Sequence, residues 1–280
     1  MKKALAIALV FVMCVLTLAS CSQQELKFGK EYRALDAQMD VLVQLNAKSI
    51  DVGIMDSIMA GYYMNDDATY SETLMIVEGL EITTEQYGIA ARKGSGLIKK
   101  INAALIELSK EGTLEELADK YGIASELCID ENMVVADLTA EEETDWNYIK
   151  NQKKFIVGYT VFAPIAYEKD GELIGFDIEL AKAVAAKLDL TVEFQVIDWN
   201  SKESLLKTKS IDCIWNGMTI TEERLASMEI SMPYLNNKQV AVIRKADKDK
   251  YTTLESMADA IVAAEAGSAG EDCIIVKEEE

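Results

Sequence analysis

Short apolar strands alternate with amphipathic helices along most of this chain, and that alternation restricts the fold more than any other feature. Thr191 to Val196 puts Val192, Phe194 and Val196 on one face and Thr191, Glu193 and Gln195 on the other, the period of a half-buried strand. Ahead of it, Phe176 to Leu188 aligns Leu180, Ala181, Val184, Ala185 and Leu188 on one helical stripe. Phe155 to Tyr159 reads as a strand before that helix, and Ile211 to Asn216 as a strand after it. Such β-α-β units predict an α/β fold with mainly parallel sheets. The first half carries the same signals. Ile50 to Met55 is an apolar strand, preceded by a helix whose face is Met39, Leu42 and Val43. Leu97 to Lys110 is a helix with Leu97, Ile101, Leu105 and Leu108 inward; Thr113 is expected to cap the next, with Glu116 completing a capping box and Gly122 ending it.

The pattern lapses between Gly122 and Trp146. Eight acidic residues lie between Glu126 and Asp145 with no lysine or arginine among them, which suits a solvated connector and, equally, a variable surface loop. No segment repeats at a fixed period, which argues against a solenoid. A length of 280 residues favours two domains over one.

Composition removes several chemistries. With 48 acidic against 28 basic residues the net charge is −20, a surface that repels phosphate backbones, so no nucleic-acid partner is expected. The chain has no histidine, which excludes Ser-His-Asp and Cys-His catalysis and histidine-ligated zinc. Cys128, Cys213 and Cys273 are far apart and odd in number, so neither a metal site nor a structural disulfide is expected, and Cys213 reads as a small buried hydrophobe.

The N-terminus reads as a targeting segment. Met1-Lys2-Lys3 is a basic start and Ala4 to Leu18 an uncharged apolar run, closing on Leu18-Ala19-Ser20-Cys21. A membrane anchor is the plainer reading, but the run is at the short end for spanning and no basic stop-transfer cluster follows. The four closing residues resemble a bacterial lipobox. That resemblance implies a signal peptide over residues 1–20, lipidation of Cys21, and a polar tether over 21–30 holding the body outside a bacterial cell membrane.

Few residues carry evident chemistry. Thr221 is a plausible cap for a helix start containing Glu222, Glu223 and Arg224. Arg224, near the end of a parallel strand, suits a carboxylate clamp, although the residues alone favour a surface pair with Glu222 or Glu223. Ala266 to Asp272 reads as a small-residue turn into a helix whose N–H groups can hold an anion, but it lacks the ending of a nucleotide-binding loop and implies no cofactor. Asp56 ends its strand and alone reads as a helix cap. Phe162 and Trp199 follow strands; such aromatics are usually core and alternatively a stacking platform.

Phe155 to Ile165 (FIVGYTVFAPI), Gly171 to Ala185, Asp198-Trp199, Asn216 to Arg224 and Met232-Pro233-Tyr234 together resemble the opening half of the polar amino-acid-type extracellular solute-binding proteins of ABC transporters. Ala266 to Asp272, Ser49 to Asp56, Gln86 to Ala90 and Glu111 to Tyr121 resemble that family's later parts. The later half precedes the earlier one here, so the chain resembles a circular permutant, or two fragments fused in reversed order.

The resemblance implies a two-lobed periplasmic-binding-protein-like fold of type II, each lobe a mainly parallel sheet flanked by helices. Residues 31–86 plus 237–280 would form lobe II and 87–122 plus 146–236 lobe I, with 123–145 joining the ancestral termini. Two crossings are expected near Tyr234 to Lys238 and Glu85 to Tyr87. Arg224, Thr219 and Ser268 would bind the carboxylate of a free amino acid, and Asp56 with the carbonyl of Gly217 its ammonium. Phe162 and Trp199 would flank the side chain, with Asn216 and Met55 nearby. Tyr159 stands where members that take cationic or amide side chains often carry an acid, and the missing acid weighs against lysine or arginine. The implied role is delivery of an amino acid to an ABC permease by a lipid-anchored monomer, without catalysis. An enzyme of dehydratase type or a sensor on the same fold are the alternatives.

Overall fold

The apolar stripes settle onto a sheet whose strands come from both halves of the sequence. The computed structural model describes residues 25–65 and 68–277. In chain order the elements are β1 (Glu31–Leu35), α1 (Gln38–Asn46), β2 (Val52–Asp56), α2 (Ser57–Asn65), α3 (Ala68–Ser71), β3 (Leu74–Arg92), α4 (Leu97–Lys110), α5 (Thr113–Lys120), α6 (Ala140–Gln152), β4 (Lys154–Tyr159), β5 (Tyr167–Lys169) and β6 (Glu172–Ile174). They continue with α7 (Phe176–Lys187), β7 (Thr191–Val196), α8 (Lys202–Lys207), β8 (Cys213–Thr219), α9 (Glu222–Ser227), β9 (Met228–Ile230), β10 (Leu235–Arg244), β11 (Ile261–Glu265) and α10 (Ala269–Ile274).

The main sheet runs in the order β1-β11-β2-β10-β3-β8-β4-β7. Two parallel blocks stand at its ends, β1-β11-β2 on one side and β8-β4-β7 on the other. Between them lie β10 and the 19-residue β3, antiparallel to each other and to the blocks they touch. Their register pairs Leu235 with Tyr87, Asn237 with Glu85 and Lys238 with Thr84, so the two expected crossings lie side by side as one ribbon. Helices flank the sheet. The stripe Leu97, Ile101, Leu105 and Leu108 of α4 is wholly buried, each such side chain contributing about 1.5–3 kcal/mol.

Several local expectations need correction. In α1 the buried stripe is Val41, Leu42 and Leu45, and Val43 is turned to solvent at 45% exposure. Thr113 is the first helical residue of α5, behind a Gly112 cap at φ +80° that makes no side-chain cap bond. The capping box belongs instead to Thr139 and Glu142 at the start of α6. The acidic stretch is therefore only partly a connector, because its end is helical and held down. Glu142 pairs with Lys99 at 2.7 Å, and Asp145 with the buried Arg92 at 2.7 Å. Val196 ends the sheet-edge strand β7 and is 62% exposed rather than half-buried. β8 begins at Cys213, so Ile211 and Asp212 precede the strand, and Asp212 accepts from the amide of Ile156 and from Arg92. Cys213 is buried, and Cys128, Cys213 and Cys273 are free thiols.

Candidate functional site

Parallel strands leave their carboxyl ends open, and ligands of open α/β sheets bind beyond those ends. Here the strand ends of the two blocks face each other. On one side, β1 leads to Gln38 at the start of α1, β11 ends in Glu265 and β2 ends in Asp56. On the other, β4 leads to Thr160, Val161 and Phe162, β7 to Trp199, and β8 through Asn216 and Gly217 to Thr219 and Arg224. All of these, with Ser268 and Ala269, line a single cleft. Its cavity is ≈ 20 Å³, little more than one water needs, so the two sides lie closed on one another.

The cation of the site is Arg224. Thr221 caps α9 by accepting from the Arg224 amide, which sets the arginine in the first helical turn beside the end of β8. The guanidinium is buried; Nη1 donates to the carbonyl of Thr219 at 2.7 Å and Nη2 to that of Gly267 at 3.2 Å, across the cleft. The surface pair with Glu222 or Glu223 is not formed, because Glu223 pairs with Lys277. Among the described residues Arg224 makes no ion pair. Burial pushes its pKa down, with the charge of Asp272 opposing.

The anion is Asp56. Its carboxylate is buried and receives only neutral donors: Tyr87 Oη at 2.7 Å, Asn237 Nδ2 at 2.5 Å, Gln239 Nε2 at 2.9 Å and Gln38 Nε2. It does not cap α2; Asn237 Oδ1 does so, accepting from Ser57 Oγ and the Ile58 amide. Tyr87 lies on β3 and Asn237 and Gln239 on β10, so the crossing ribbon itself holds Asp56. Glu85 joins this cluster by accepting from Asn237 and Gln239, and burial together with the Asp56 charge pushes its carboxyl up to about 8.

The remaining expected residues line the cleft, with one exception. Phe162 and Trp199 are buried and line the cleft, Phe162 resting edge-on against Tyr87. Gly217 adopts φ +59°, and a Cβ there would meet Phe162 at 2.6 Å, so only glycine fits beneath the ring. The amide of Gly217 donates to Asp177. The Asn216 carboxamide is taken up by Thr160, its oxygen accepting from Thr160 Oγ1 at 2.7 Å. Ser268 caps α10 by accepting from the Glu271 amide, and the Glu271 carboxylate takes the Gly267 amide at 2.7 Å. That six-residue helix thus spends those N–H groups internally instead of offering them to an anion. The exception is Met55: it lies in the main core cluster and does not line the cleft, since neighbours in a strand face opposite sides.

Gln38, Thr160, Val161, Glu265 and Ala269 line the cleft without having been named from the sequence, and Gln239 and Lys202 bond to residues that line it. Glu265 is the first polar residue after the apolar Ile261 to Ala264 and ends β11 as Asp56 ends β2, whereas Gln38 comes after Asp36 and Ala37 and carries no such signal. Gln239 and Lys202 carried no local signal; Lys202 Nζ donates to the carbonyls of Trp199 and Gly267 and lies over the Trp199 ring.

Part of the sequence matches known proteins. Residues 155–271 match the family described as bacterial extracellular solute-binding proteins, family 3. The arginine-binding extracellular protein ArtP of Bacillus subtilis is 35% identical over 109 residues, 39% of this chain and 43% of that protein. The probable amino-acid-binding protein YxeM of the same organism is 30% identical over 105 residues, 38% of this chain and 39% of YxeM. A probable amino-acid ABC transporter-binding protein of Haemophilus influenzae is 34% identical over 101 residues, 35% of this chain and 39% of its own length. The chain thus spans about two-fifths of the curated relatives it matches. Among solved structures, the arginine-bound domain 1 of TmArgBP is 32% identical over 36% of this chain and 88% of that one, with a TM-score of 0.31.

Proposed function

We propose, for a chain whose residues 155–271 match the bacterial extracellular solute-binding proteins of family 3, that it binds a free amino acid between two closing lobes and hands it to an ABC-transporter permease. Proteins of this family bind solutes rather than transform them. The observation that carries the reading is a pair of buried, opposite charges in one cleft, neither ion-paired among the described residues. Arg224 bonds only to backbone carbonyls and Asp56 only to neutral donors. Isolated buried charges are costly, and a zwitterion supplies both missing partners at once. Its carboxylate meets Arg224, with the hydroxyls of Thr219 and Ser268 at hand, and its ammonium meets Asp56 and the Gly217 carbonyl. Phe162 and Trp199 flank the side chain.

The β3–β10 ribbon is the hinge in this reading, with lobe II as residues 31–86 plus 237–280 and lobe I as 87–122 plus 146–236. A cavity of ≈ 20 Å³ admits no amino acid, so the lobes must part for entry and close on the bound ligand. The permuted order fits the hydrogen bonding of residues 25–35 with residues 260–276: the Lys27 amide donates to Ile274 O, the Val276 amide to Glu25 O, and β1 lies parallel to β11. Residues 123–145 then join the ancestral ends across lobe I. No helix among the described residues is long and apolar enough to cross a membrane. The signal segment 1–20 and the lipid-bearing Cys21 lie outside the described residues; with them the reading is an exported, lipid-anchored monomer.

A thermal-shift screen of the twenty amino acids tests the proposal. A ligand at a hundred times its Kd stabilises by about 2.7 kcal/mol, which for a chain of this size raises Tm by about 5–10 °C. No shift with any amino acid at millimolar concentration would refute it.

A further inference from the structure

The cleft contains one more acid than an amino acid's backbone needs. Glu265 ends β11, lines the cleft beside Asp56, and is 5% exposed. Its Oε1 is buried with no hydrogen-bond partner. A buried carboxylate oxygen left unpaired costs far more than a paired one, and the few such atoms in a native protein call for an explanation.

Lys202 is the cation whose charge acts on Glu265, but its hydrogen bonds go elsewhere. Its ammonium donates to two backbone carbonyls, lies 4.9 Å from the Trp199 ring centre, makes no ion pair with Glu265 among the described residues, and does not line the cleft. The charges that do line it are Arg224 on one side and Asp56 and Glu265 on the other. Once a zwitterion has taken Arg224 and Asp56, the acid of the cleft still without a partner is Glu265. A ligand that balances it carries a second positive charge.

We infer that Glu265 is the specificity-determining residue of this cleft, and that the preferred ligand is an amino acid whose side chain ends in a guanidinium or ammonium group. This rests on the amino-acid reading above and deepens it. It also reverses the expectation drawn from Tyr159, which packs against Phe194 and does not line the cleft; the acid comes from the facing lobe instead. Burial and the charge of Asp56, opposed by that of Lys202, push the Glu265 carboxyl up to about 8, so a bound cation would displace its proton.

Arginine and citrulline are nearly isosteric, one cationic and one neutral, so calorimetry with this pair on the parent chain and on Glu265→Gln isolates the charge. Glutamine serves as a second neutral probe, and a melting curve confirms that the variant is folded. The parent is expected to prefer arginine or lysine, and Glu265→Gln to weaken that binding on the order of 10- to 100-fold while citrulline and glutamine change less than threefold. A parent that binds neutral amino acids as tightly as cationic ones would overturn the inference and leave the amino-acid reading standing. Equal losses for all three probes would also overturn it, making Glu265 a partner of the α-ammonium. A parent chain that binds no amino acid would overturn both.

Discussion

Truncating Arg224 separates a ligand clamp from a structural arginine. The guanidinium has five N–H donors, and two directions are spent on the carbonyls of Thr219 and Gly267. The donors that remain face a cleft with no carboxylate of the protein paired to them, which leaves room for a fork-like contact with a ligand carboxylate. In Arg224→Ala a bound amino acid buries its carboxylate without a countercharge. Breaking a buried pair in this way costs about 3–5 kcal/mol, on the order of 200- to 5,000-fold in Kd. The cost to folding is smaller, because the two carbonyls released are backbone groups at the cleft edge that water can reach once the side chain is gone; about 1–2 kcal/mol is expected. Arg224→Lys keeps the charge without the planar fork and should recover only part of the affinity. Titration calorimetry with the best ligand of the screen, alongside a melting curve for each variant, reads both quantities. Affinity within tenfold of the parent for a folded Arg224→Ala would show that the arginine only ties Thr219 to Gly267, and the clamp would have to be sought elsewhere.

Two further outcomes follow from the same geometry. Glu85 and Glu265, each pushed up to about 8, and Asp177, pushed up to about 7, hold protons in the folded protein that the unfolded chain has lost. Their contribution is complete below the ordinary carboxyl range and is lost as pH rises, so urea midpoints should fall between about pH 4.5 and 8, and Glu85→Gln should flatten the decline; midpoints rising across that window would contradict the burial argument. If the order of segments is a true permutation, a chain restored to the ancestral order, cut within 123–145 and joined between Cys273 and Glu31, should be a monomer in light scattering with the parent's ligand affinity, and obligate dimers would favour fused fragments.

What the sequence disclosed and what it hid divide along a physical line. The stripe of α4 was legible because a 3.6-residue period is a property of the helix alone, and the same holds for the Thr221 cap of α9. Arg224, Thr219, Asp56, Ser268, Phe162 and Trp199 were reached through the family resemblance, and each lies at or beyond the end of a strand, where side chains no longer serve the core. Glu265 and Gln38 obey that rule equally. They stayed hidden because no known motif drew attention to them. Met55 failed the rule by one residue, since the strand period of two turns it away from its neighbour Asp56. Gln239, Asn237 and Tyr87 follow a different logic. Their place around Asp56 depends on the register of β10 against β3, strands some 150 positions apart in sequence, and no local pattern encodes such a register. Those residues hold the Asp56 carboxylate and also form the crossing between the blocks, so on the proposed reading a parting of the lobes would bend the ribbon that carries the ligand's countercharge. Binding and closure would then be coupled through a ribbon whose position was legible in the sequence but whose side-chain register was not, and substitutions at Gln239 or Asn237 should alter the two together.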